Sequence, residues 1–172
     1  MNGGLYFDGV NDYVESTRTI SLGEGRKTMI IWIKQTNTAG GCILRIGFGN
    51  QGELFEILTG TNTIAGHFWG VGLSFNVNCK NLQNVYTQVV MKYTPRTGST
   101  AGKTDIYVDG VLKGSFNYSL TNGVGKLNIG RPAYSGSSWY NGYIYSAKLF
   151  SRTLTDAEIL SEYNLTKTIF GL

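Results

Sequence analysis

Charge is scarce in this sequence: Asp, Glu, Lys and Arg make up 15% of its 172 residues, well under the roughly 25% usual for globular domains. Long surface helices draw on Lys, Glu and Ala, so a mainly helical fold is not expected. Histidine occurs once, as His67, and proline twice. A lone histidine makes a poor zinc site. It also lacks a Gly-x-Ser-x-Gly elbow or a Cys-His signature to work with. Two cysteines, Cys42 and Cys79, are too few for a disulfide framework; they form one bridge or serve as two small buried hydrophobes. No apolar run approaches the ~18 residues of a spanning helix. The opening Met1-Asn2-Gly3-Gly4-Leu5-Tyr6-Phe7-Asp8 has no basic stretch leading into an apolar core. Neither membrane insertion nor a signal peptide is therefore expected. Basic residues outnumber acidic ones, for a net charge of +4, yet Arg18, Lys34, Arg45, Lys80 and Lys92 stand singly. The stripe or run that would track nucleic acid is missing, and no nucleic-acid partner is expected.

What the chain has is glycine, 24 residues, and tyrosine, 11 residues, the materials of short strands and tight turns. Apolar and polar residues alternate along 28–34, 41–47, 54–58, 63–69 and 86–93, with the turn cluster Gly49-Asn50-Gln51-Gly52 between two of these segments. Alternation along 86–93 places Tyr86, Gln88, Val90 and Lys92 on one face and Thr87, Val89, Met91 and Tyr93 on the other. Trp32, inside the most apolar segment, is expected in the core. Asp109-Gly110, between Ile106-Tyr107-Val108 and Val111-Leu112, predicts a hairpin, because both central positions of a type I′ turn need positive φ. Residues 126–130 and 140–150 complete the strands. One helix is expected near the C-terminus, where Thr155-Asp156-Ala157-Glu158 forms a capping box ahead of Ile159, Leu160 and Tyr163. No linker or internal repeat divides residues 1–172, which read as a single all-β domain, a sandwich or barrel.

The ordered set of segments resembles the laminin G-like, concanavalin A-like lectin/glucanase family over nearly the whole chain. The segments that carry the likeness are 5–14, Met29-Ile30-Ile31-Trp32-Ile33-Lys34, 85–93 with Ile106-Tyr107-Val108-Asp109-Gly110, Leu127-Asn128-Ile129-Gly130, Asn141-Gly142-Tyr143-Ile144 and 154–159. The resemblance implies a two-sheet antiparallel jelly-roll β-sandwich with one short C-terminal helix. It leaves the ligand open, since this fold hosts lectins, adhesins, glycosidases and structural modules.

Glycosidases of this fold carry alternating acids on one strand, and retention needs two carboxylates about 5–5.5 Å apart. The nearest match here, Glu53-Leu54-Phe55-Glu56, has two acids at a spacing that puts them on opposite faces of a strand. No enzyme activity is expected. Many relatives bind calcium through loop carboxylates, but the stretch corresponding to the family's acidic one, Gly142-Tyr143-Ile144-Tyr145-Ser146-Ala147-Lys148, has no acid. Asp8, Asn11 and Asp12 remain as oxygen donors, with turn geometry as the competing explanation, and no cofactor is expected. Sugar sites combine an aromatic platform with a few polar hydrogen-bonding groups. Candidate ligand-binding residues are His67 and Trp69 near the end of one strand, and Tyr134, Trp139, Tyr140 and Asn141 in and after a Gly/Ser loop. The alternative for Trp69, Trp139 and Tyr140 is the core. The expected function is non-catalytic recognition or adhesion, with a glycan or glycosylated surface protein as partner, in an extracellular, cell-surface or virion-surface setting. The alternative is a structural or decorating protein of a virus, phage or cell-surface assembly, with assembly partners in place of a glycan.

Overall fold

The computed structural model describes residues 3–21, 25–47, 55–68, 73–119, 124–133 and 138–172. Twelve strands lie among them: β1 (Leu5–Asp8), β2 (Val14–Ser21), β3 (Lys27–Gln35), β4 (Gly41–Ile46), β5 (Phe55–Thr59), β6 (Thr63–Phe68), β7 (Leu73–Asn78), β8 (Tyr86–Thr94), β9 (Lys103–Val108), β10 (Val111–Asn117), β11 (Val124–Ile129) and β12 (Asn141–Phe150). A helix, α1 (Asp156–Lys167), and a 3-10 turn (Thr168–Phe170) close the chain. The first sheet runs β1-β12-β3-β8-β9-β10 and the second β2-β11-β4-β5-β6-β7. All strand pairs in both sheets are antiparallel. This is the two-sheet antiparallel jelly-roll with one C-terminal helix that the family resemblance implies, and it settles the sandwich-or-barrel alternative in favour of the sandwich.

Period-two alternation decides which side chains meet between the sheets. Met29, Ile31 and Ile33 of β3 and Val89, Met91 and Tyr93 of β8 oppose Ile43, Leu44, Ile46, Phe55, Ile57 and Ile64 of the second sheet. Each such side chain contributes roughly 1.5–3 kcal/mol when fully buried, as an upper estimate. One end of this core is closed by Phe75 and Phe116, stacked at 3.7 Å between ring centroids. Gly66 leaves the space: a Cβ there would collide with the Phe75 ring.

The other face of the first sheet is half covered. Ile30, Val90 and Tyr107 form a small second core with Leu154 and Ile159, so α1 packs on the sheet from outside. Its capping box is complete: the Glu158 amide donates to Thr155 Oγ1 at 3.2 Å, and the Thr155 amide donates to Glu158 Oε2 at 2.7 Å. Lys92 secures the docking, donating to Tyr107 Oη at 2.6 Å and to Asp156 Oδ1 at 2.7 Å. Trp32 is buried on this face as well; its indole N–H donates to Thr166 Oγ1 at 2.9 Å, and Tyr163 stacks on it at 5.8 Å and 12°. Asp109 and Gly110 take φ of 52° and 77° between β9 and β10, which makes the expected hairpin. Cys42 and Cys79 are both free thiols, Cys42 buried, so the bridged alternative does not occur here.

Candidate functional site

The outer face of the second sheet carries a row of polar residues matched in register across five strands. Glu15 of β2 lies opposite Asn128 of β11, which lies opposite Arg45 of β4, then Glu56 of β5 and His67 of β6. Residues paired in this way share one face. Their neighbours Leu44, Ile46, Phe55 and Ile57 point into the core, so the row points out of the sandwich. A register shift between Cys42 and Leu44 breaks the alternation on β4, and Ile43 joins the core while Cys42 does not.

Three members of this row are buried: Arg45 is 7% exposed, Glu56 2% and Asn128 2%. Glu56 Oε1 accepts the Ala133 amide at 3.1 Å, and its Oε2 lies 3.6 Å from His67 Nδ1. Residues 131–133 therefore cross over the sheet and are tied down at its centre. Burial lowers the pKa of the Arg45 guanidinium from its ordinary value. Among the described residues, Arg45 Nε and Asn128 Oδ1 have no hydrogen-bond partner. Burial, together with the carboxylate of Glu56, pushes the Cys42 thiol well above its ordinary pKa. That is the reverse of what an activated nucleophile needs.

An aromatic cluster stands beside this row. Trp139 bridges to Cys42 of β4 in parallel register, and the Cys42 amide donates to Ser138 O at 2.7 Å. The Trp139 and Tyr13 rings lie 6.2 Å apart, tilted at 50°. The Arg131 guanidinium sits 4.6 Å above the Tyr13 ring, and its Nη1 lies 3.7 Å from Glu15 Oε2. Lys126 donates to Glu15 Oε1 at 2.6 Å, which holds the Glu15 carboxyl below its ordinary pKa. Tyr13 is 48% exposed and Trp139 is half-buried. The cluster thus presents ring surface, two cations and one carboxylate to solvent.

The expected site residues divide. Trp139 and His67 sit on this face. Tyr140, the next residue after Trp139, is fully buried with its ring 6.3 Å from Phe7, so it belongs to the core and no ligand can stack on it. Asn141 is taken up by structure: it accepts from Thr36 Oγ1, and its Nδ2 donates to Asp8 O at 2.7 Å. Trp69, Tyr134 and Glu53 lie outside the described residues. The Asp8 and Asp12 carboxylates serve the turn after β1: Asp8 Oδ1 accepts the amides of Val10 and Asn11 at 2.7 and 3.4 Å, and Asp12 Oδ2 accepts the Asp8 amide at 3.0 Å. No cluster of three or more His, Cys, Asp or Glu side chains suited to a metal exists among the described residues. The alternation did not single out Tyr13, Arg131 or Asn128. Arg45 and Glu56 had a visible signal, a charge flanked by apolar residues within a strand.

Comparison with known proteins accords with this architecture. No curated protein matches the sequence. Among solved structures, the CBM40 of the Ruminococcus gnavus IT-sialidase, determined with α2,3-sialyllactose, superposes with a TM-score of 0.70 at 14% identity, covering 93% of this chain and 96% of that one. A heptameric SAP-like pentraxin from Limulus polyphemus gives 0.66 at 13% identity over 92% of this chain and 80% of its own. The leech intramolecular trans-sialidase gives 0.67 at 16% identity over 92% of this chain, which spans 28% of that enzyme. At these identities the likeness establishes the fold. The sequence profile of the concanavalin A-like lectin/glucanases superfamily matches residues 8–160, and the chain belongs to that superfamily.

Proposed function

We propose that this chain is a non-catalytic carbohydrate-recognition module that works outside the cell or on a cell surface. The observation that carries the reading is the Tyr13–Trp139 pair flanked by Arg131, Glu15 and Lys126 on the outer face of the second sheet. A pyranose has an apolar face and a hydroxyl rim. Ring surface bordered by charged donors and a carboxylate acceptor is its complement. The superfamily and the carbohydrate-binding module among its structural neighbours support this reading. Two described groups on the same face are tied up by the fold: Glu56 is buried and accepts a backbone amide, and Cys42 is buried with its thiol pushed well above its ordinary pKa.

The test is a glycan array with the purified chain, in calcium and again in chelator, for the wild type, Trp139→Ala and Tyr13→Ala. The expected result is a specific hit that chelator leaves unchanged and that each variant weakens about tenfold, the loss of one stacking contact. An array silent for the wild type, from a chain that self-associates in light scattering, overturns it in favour of a structural block.

A further inference from the structure

The two lateral sides of the sandwich are finished differently. Where β10 and β7 end their sheets, Phe116 and Phe75 stack at 3.7 Å, and a Cβ on Gly114 would come within 2.6 Å of Val77. That side is closed. On the other side the sheets end in β1 and β2. Leu5 lies opposite the core residue Ile144 and two positions from Phe7, which is also core. Alternation therefore turns Leu5 toward the space between the sheets, yet it is 61% exposed. Val14 extends the row of Leu44 and Ile129 onto β2 in the same way and is 42% exposed. Both are core-facing positions that lack a neighbour because their sheets stop there.

Edge strands invite pairing, and native chains blunt them with charge, proline or bulges. β2 carries Glu15 and Arg18, and β10 carries Lys113 and a register shift between Leu112 and Gly114. β1 has none of these devices. It pairs with β12 without a shift, and Gly3-Gly4-Leu5-Tyr6-Phe7 holds neither charge nor proline. Its backbone is also open on the free side. The Asp8 amide donates to Asp12 Oδ2 at 3.0 Å and so turns away from β12. Backbone direction alternates along an antiparallel strand, so the amide and carbonyl of Tyr6 point outward as well. Those of Gly4, just before the strand, follow in the same series.

We propose that β1 pairs antiparallel with β1 of a second copy of this chain, about a two-fold axis at Leu5. Gly4 and Tyr6 of one copy then exchange main-chain hydrogen bonds with Tyr6 and Gly4 of the other. The two Leu5 side chains meet at the axis, and each covers the core position that the other leaves open. No charge falls between Gly3 and Phe7 to oppose this register. The contact is isologous, so it closes on two copies, and the first sheet runs on through both. An axis relating antiparallel neighbours stands perpendicular to their sheet. Both copies therefore present the outer face of the second sheet in the same direction, and two Tyr13–Trp139 clusters meet one surface together. That consequence rests on the recognition reading; the pairing itself does not.

The experiment is sedimentation velocity on the full chain, over a concentration series up to about 1 mM, the weak end of the affinity scale. It compares the wild type, Leu5→Lys, Leu5→Glu and an equal mixture of the two variants. The wild type is expected to reach twice the chain mass. Each variant alone should stay monomeric, because like charges then face each other at the axis, and the mixture should regain the dimer. Tyr6→Pro removes an outward amide that the single chain does not use; it should lose the dimer and keep the melting temperature of the dilute wild type. Val111→Lys, on the opposite edge of the same sheet, should change nothing. A wild type that stays monomeric at the highest concentration overturns the proposal. So does a dimer that persists in folded Leu5→Lys, or a mixture that stays monomeric. Glycan binding is not a readout here, so this result and that of the array stand or fall separately.

Discussion

Single residues in this molecule declare their roles through what they touch. Glu158 is the clearest case. Hydrogen bonds from Arg152 and from the Thr155 amide hold its carboxyl down at about 2, against an ordinary 4.5. A group whose pKa is lowered by folding contributes stability above its ordinary pKa and loses it as pH falls through the folded value. Glu158→Gln should therefore lower the melting temperature at neutral pH, and the gap to wild type should close as pH drops from 4.5 toward 2. A gap that stays constant in thermal melts over that range would refute the assignment. The cysteines differ in the same local way. Cys42 is fully buried, whereas Cys79 is half-buried with its Sγ donating to Lys80 O at 3.3 Å. Alkylation followed by mass spectrometry should modify Cys79 in the folded chain and Cys42 only in denaturant. Early modification of Cys42 would mean that the segment over β4 opens readily.

Elements were legible from sequence where their signals are local. The Asp109-Gly110 hairpin and the Thr155 capping box depend on backbone geometry within a few residues, and both occur as expected. Gly110→Ala should cost about 1 kcal/mol in urea denaturation, because φ there is 77°. The strands β2 and β7 escaped the alternation. They are the edges of the second sheet, paired on one side only, and VESTRTIS and LSFNVN carry the polar content that edges tolerate. The docking of α1 was likewise not legible, since Lys92 and Asp156 are 64 residues apart. Lys92→Met should destabilise the chain by about 2 kcal/mol, less than the ~3–5 of a fully buried pair because Asp156 is exposed. Chemical denaturation with Asp156→Asn as a milder control checks this, and equal stability of Lys92→Met would remove the network from the account of helix docking.

At the scale of the whole molecule, the titration of buried groups sets a window of greatest stability. Burial pushes Lys27 down to about 8 from 10.5, so between those values the unfolded chain binds more protons and stability rises with pH. Burial and a neighbouring carboxylate or phenol push Tyr107 and Tyr145 up to about 12 from 10. Above 10 the folded chain is the one that holds protons, and stability falls. Melting temperatures measured against pH should therefore rise from about 8 to a maximum near 10 and fall beyond it, and Lys27→Met should flatten the rising limb; a monotonic fall from neutrality would contradict the Lys27 shift. The sequence by itself determined the all-β class, because alternation, turn chemistry and capping act over a few residues and pointed to a sandwich or barrel with one late helix; the choice of the two-sheet jelly-roll came with the family resemblance. Only the tertiary structure could separate Trp139 from Tyr140. Adjacent residues on a strand face opposite ways, and the position of the opposing sheet decides which one is inside. The same holds for the cluster beside Trp139: Tyr13, which meets its ring, and Glu15, which meets Arg131, lie near the other end of the chain, and only the folded whole brings them together.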